Sequence, residues 1–117
     1  MPDYKTFVAY LKVKAKITPG KIFPRMYFMF ENHEDLAKKV FNELAAGTLN
    51  KNSDAGTELF ERCRRYVDNN NTIYTFIQKF QQNFPHVKEE LTEIFKKRPA
   101  LHDVAFPCVT EDCTKST

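Results

Sequence analysis

Residues 54–95 read DAGTELFERCRRYVDNNNTIYTFIQKFQQNFPHVKEELTEIF, and this stretch decides the fold. Its apolar residues recur at helical spacing in three runs. Leu59, Phe60, Cys63, Tyr66 and Val67 make the first, Ile73, Phe76, Ile77 and Phe80 the second, and Val87, Leu91, Ile94 and Phe95 the third. Apolar residues three and four apart share one face of a helix and need a partner surface to cover them. The turn formers Asp68, Asn69, Asn70 and Asn71 divide the first run from the second, which Thr72 is read to cap. Asn83-Phe84-Pro85 divides the second from the third, and Pro85 suits the first turn of the helix it heads. The third ends in Lys96-Lys97-Arg98, which suits the negative end of a helix dipole, and Pro99 follows. The first of the three opens at Ser53 or Asp54.

Toward the N-terminus the same period continues. Residues 3–16 start at Asp3, an N-cap candidate, and place Tyr4, Phe7, Val8, Leu11 and Ala15 on one face. Thr18-Pro19-Gly20 ends that segment. Residues 21–30 are short and strongly apolar and read as a buried helix, a strand being possible at this length, and the run at 26–30 reads as core. A segment capped by Asn32, with Glu34 and Asp35 in its first turn, carries Leu36, Val40, Phe41 and Leu44 and stops at Gly47. Residues 48–52 are a polar loop. Toward the C-terminus, residues 99–117 lack a clear period and read as a tail or linker, in which Leu101, Val104 and Phe106 are the residues suited to packing back. The expectation is an all-α, six-helix antiparallel bundle over residues 1–98.

Composition fits one such domain. The chain has 117 residues, 42% of them hydrophobic, with eleven Phe, no Trp and only three Gly. That length buries enough surface to build a core without staples. Three cysteines, Cys63, Cys108 and Cys113, make no disulfide framework. No apolar leader with a small-residue cleavage site stands at the start, and the longest apolar run has five residues, at 26–30. The expectation is a cytoplasmic, reducing location with no membrane segment.

Charge is more informative in its distribution than in its net value of +3. Residues 1–30 carry six Lys or Arg against one acid, a balance of +5, and residues 31–61 carry seven acids against three Lys, a balance of −4. Such a dipole steers one face onto a complementary one. The basic face is read as Lys5, Lys12 and Lys16 with Arg62, Arg64 and Arg65. The acidic face is read as Glu31, Glu34, Asp35 and Glu43.

Chemistry has fewer footholds. His102, Cys108 and Cys113 offer three soft or borderline metal ligands, but at a spacing that matches no zinc knuckle. Cys63 sits on an apolar face and reads as a small core residue. The paired carboxylates Glu34-Asp35 and Glu89-Glu90 fall on polar faces, and no glycine-rich phosphate loop or nucleophile elbow occurs. No enzyme activity, cofactor or metal is expected. Nucleic acid is the rival partner, because Arg62, Arg64 and Arg65 together with Lys5, Lys12, Lys14 and Lys16 can form a basic patch.

The stretch quoted first resembles the second half of a caspase-recruitment domain (CARD), a member of the death-fold superfamily. Ala55, Leu59, Phe60 and Cys63 match the fourth-helix positions of that family. Ile73, Phe76, Ile77 and Phe80 match the fifth, and Val87, Leu91 and Phe95 the sixth. The family's usual glycine before the sixth helix is replaced here by Asn83-Phe84-Pro85. The resemblance implies a homotypic interaction module in apoptotic or innate-immune signalling. Its basic surface on helices one and four would dock on an acidic surface on helices two and three of another copy or a related domain.

Overall fold

The computed structural model describes residues 2–65 and 69–107, and within them every regular element is helical. The six helices read from the sequence are α1 (Tyr4–Ile17), α2 (Ile22–Asn32), α3 (Glu34–Ala46), α4 (Asp54–Cys63), α5 (Asn70–Asn83) and α6 (Val87–Lys97). A 3₁₀ turn, Phe84–His86, joins α5 to α6.

Three boundaries are set by local hydrogen bonds. Asp3 caps α1 by accepting from the Thr6 N–H at 2.8 Å. Ser53 caps α4 by accepting from the Gly56 N–H at 3.1 Å. Gly47 closes α3 in the left-handed region, at φ 74°, where a side chain would be strained. Two caps differ from those read in the sequence. Asn32 belongs to the end of α2, where its amide donates to the Phe28 carbonyl, and His33 alone turns the chain into α3. Asn69, not Thr72, caps α5, because its carboxamide oxygen accepts from the N–H groups of Asn71 and Thr72. The helix therefore begins within the run of Asn residues read as a turn.

One hydrophobic cluster runs through all these helices, and α1 lies at its centre. Phe7 and Leu11 are buried on the expected face, but so are Ala9, Tyr10 and Val13. Helix α1 is apolar on more than one side because α2 and α3 cover one part of it and α6 covers another. The Phe7 ring stands 5.9–6.3 Å from those of Phe30, Phe41, Phe80 and Phe84, all tilted or edge-on, so four separate elements meet on it. In the apolar run of α2, Met26, Met29 and Phe30 are buried as expected, whereas Phe28 is 56% exposed. The stretch after Pro99, read as lacking periodicity, contains a short helix, α7 (Leu101–Ala105), packed on α1 and α6 with Ala105 buried. None of the helices among the described residues is long and apolar enough to cross a membrane.

Two polar contacts fix how α3 meets α4. The Glu43 carboxylate, late in α3, accepts from the Ala55 N–H at 3.0 Å, early in α4. A turn earlier in α3, Lys39 pairs with Glu58 at 2.8 Å, a turn later in α4. These two helices run past each other in opposite senses.

Candidate functional site

The ten charged residues singled out from the sequence fall into four settings. On α1, Lys5 and Lys16 are exposed and Lys12 is half-buried. The Lys5 ammonium lies 5.6 Å above the Phe106 ring, just beyond α7. Lys12 lies in a groove of about 260 Å³ whose other walls include Glu31 and Glu34. One residue read as basic face and two read as acidic face thus line the same groove. Two tyrosines share it. Burial holds the phenol of Tyr27 above its ordinary range, reinforced by the neighbouring Glu31 carboxylate. Burial raises Tyr4 as well, with Glu34 adding to it.

At the end of α4, Arg64 and Arg65 are exposed and Arg62 is half-buried. Arg64 pairs with Glu61 at 3.7 Å and lies 5.9 Å over the Phe60 ring. At the α2–α3 corner, Glu31, Glu34 and Asp35 are all exposed, and Lys38 pairs with Glu34 at 3.4 Å one turn along α3. Exposed pairs of this kind hold little energy, so both clusters keep their charge available to a partner.

Glu43 is placed differently. It is half-buried, one carboxylate oxygen accepts from the N-terminus of α4, and the other is buried without a hydrogen-bond partner. An anion at a helix N-terminus is favourable, so Glu43 joins α3 to α4. No periodicity argument distinguishes such a residue from its exposed neighbours, since the deciding partner lies on another helix.

An ion pair joins α1 to α6 through a lysine that the sequence placed in the candidate basic patch. Lys14 is partly buried and pairs with Glu90 at 3.2 Å. Its ammonium also lies within 6 Å of the Tyr10 and Phe23 ring centres. Tyr10 is held well above the usual phenol range, chiefly by burial, with the Glu90 carboxylate adding to it. Lys14 therefore belongs to the packing rather than to an open basic stripe.

Cys63 is fully buried with its sulfur 3.1 Å from that of Met26, and burial pushes its thiol up to about 12. A thiol so placed is inert as a nucleophile at neutral pH. His102 is exposed, with its ring 5.2 Å from those of Phe95 and Phe106, while Cys108 and Cys113 lie outside the described residues. Among the described residues no three His, Cys, Asp or Glu side chains gather as a metal site. No family model matches the chain, and no curated protein and no solved structure matches it.

Proposed function

We propose that the chain is a protein-interaction module of the caspase-recruitment type, an adaptor or sensor domain in apoptotic or innate-immune signalling. Its partner is a second copy or a related helical domain. The basic end of α4 (Arg62, Arg64, Arg65) docks on the acidic α2–α3 corner (Glu31, Glu34, Asp35) of that partner. The observation that carries this reading is the exposure of Arg64 and Arg65 at the end of α4, beside half-buried Arg62, and of Glu31, Glu34 and Asp35 at the α2–α3 corner, two oppositely charged clusters each confined to a single helix end or corner. Charge complementarity of this sort sets orientation and on-rate. The lysines of α1 contribute less, because Lys12 already faces Glu31 and Glu34 and Lys5 lies against Phe106.

The test is a charge reversal at an exposed position. Arg65→Glu is expected to weaken association about tenfold, near 1.4 kcal/mol, while leaving the melting temperature unchanged. Asp35→Lys in a separate preparation does the same, and mixing the two variants restores binding. Association measured by light scattering that persists undiminished in both reversals refutes the proposal.

A further inference from the structure

A second surface lies between α4 and α5, away from the acidic corner. The rings of Phe60 and Tyr74 stack there, 4.9 Å apart and within 6° of parallel, unlike the tilted and edge-on pairs around Phe7. The Lys51 ammonium lies 5.6 Å over Tyr74, and the Arg64 guanidinium 5.9 Å over Phe60. Each ring turns one face to the other, which leaves the outer faces to the two cations. Tyr74 is 37% exposed, and beside it opens a groove of about 520 Å³. Asn50, Gln78, Gln81 and Gln82 line this groove together with Lys51 and Tyr74, and no carboxylate is among its lining residues. Gln81 is held in place by the Leu49 N–H, which donates to its carboxamide oxygen at 3.1 Å.

We propose that this groove binds a nucleobase bearing its phosphate, in a single strand, with the base stacked on Tyr74. The proposal goes beyond the charge docking described above and stands apart from it. A lysine over an exposed ring contributes roughly two- to fivefold in affinity. A base stacked on an aromatic ring contributes roughly five- to 150-fold. The base therefore displaces Lys51, whose ammonium is then free to meet the phosphate. The carboxamides carry both donors and acceptors, as the edges of a splayed base require. The groove volume falls in the range of small-ligand sites, roughly 300–1,000 Å³. A duplex keeps its base faces in its own stack, so the site selects single strands.

The experiment is fluorescence anisotropy of the full chain with labelled oligothymidylate and with an abasic strand of equal length. The base-bearing strand is expected to bind at least about fivefold tighter. Tyr74→Leu removes that difference, Tyr74→Phe keeps it, and Lys51→Ala weakens both strands. Competition by free thymidine monophosphate at the strand's own affinity identifies a free nucleotide as the ligand. Competition by strands alone identifies single-stranded nucleic acid. Equal binding of the two strands to the native chain, preference for duplex, or no binding overturns the proposal, and so does a base preference that survives in Tyr74→Leu. Self-association of Tyr74→Leu is read separately by light scattering and is expected to be unchanged, so the two proposals fail independently.

Discussion

Replacing Gly56 by alanine puts two opposing effects in one residue. Alanine is the better helix former by about 1 kcal/mol, and Gly56 lies inside α4, so propensity alone predicts a more stable protein. Packing predicts the reverse. A Cβ at this position would stand 1.7 Å from the Asn50 carbonyl oxygen and 2.9 Å from the Ser53 hydroxyl. Ordinary contact begins near 3.4 Å, so the carbonyl would have to withdraw by the difference, 1.7 Å. That carbonyl accepts from both the N–H and the hydroxyl of Ser53, and the same hydroxyl accepts from the Gly56 N–H. Withdrawal breaks the cap of α4 as well as the loop before it. Overpacking costs about 1–3 kcal/mol and a lost cap about 1 kcal/mol, which leaves a net loss of about 1–3 kcal/mol after the propensity gain. With an unfolding entropy of about 2.1 cal/mol/K per residue, this lowers the melting temperature by roughly 4–12 °C. Thermal unfolding followed by far-UV circular dichroism measures it. A Gly56→Ala melting temperature equal to or above that of the native chain would refute the reasoning.

Three other outcomes follow from the same contacts. Glu43→Ala removes the acceptor for the Ala55 N–H and is expected to cost about 1–2 kcal/mol in urea unfolding, with Lys39→Ala costing less because its ion pairs are more exposed. The Thr6 hydrogen bonds hold the Asp3 carboxyl below its ordinary value, so its contribution is present above the unfolded value of 3.8 and is lost as pH falls through the lower folded value. Asp3→Asn, which keeps a capping oxygen, should therefore flatten the acid limb of the melting-temperature profile, and an unchanged limb would count against that cause. Cys63 should resist a thiol-specific reagent at neutral pH in a Cys108→Ser, Cys113→Ser background and react only on unfolding, as rapid labelling of the native chain would disprove.

Much of the fold was legible because helical spacing survives wherever one face is covered. In α5 the run Ile73, Phe76, Ile77 and Phe80 is buried residue for residue. What spacing leaves out is the second face of a central helix. Ala9, Tyr10 and Val13 are buried because α1 has neighbours on several sides, and a single-face reading has no place for them. Caps are legible when the cap side chain has one use, as with Asp3. They mislead when it has two, as with Asn32, whose amide closes α2 instead of opening α3. The short helix α7 was missed because five residues carry too few repeats to show a period.

The charged residues were legible in type and in exposure for the α4 end and the α2–α3 corner, but not in company. Lys12 shares a groove with Glu31 and Glu34, and Glu43 turns inward to α4, for reasons that lie in helix packing. The Phe60–Tyr74 stack likewise needs α4 and α5 side by side, and the residues 14 apart in the chain carry no joint signal.

The central claim is that the exposed α4 arginines and the α2–α3 acids associate across copies, and the most direct measurement is solution mass against protein concentration at low and high salt. The mass is expected to rise above the monomer with concentration at low salt and to fall back as salt is raised. A ceiling at the dimer means reciprocal pairing of the two clusters, and continued growth means head-to-tail pairing. A monomer at every concentration and salt would contradict self-association through these faces.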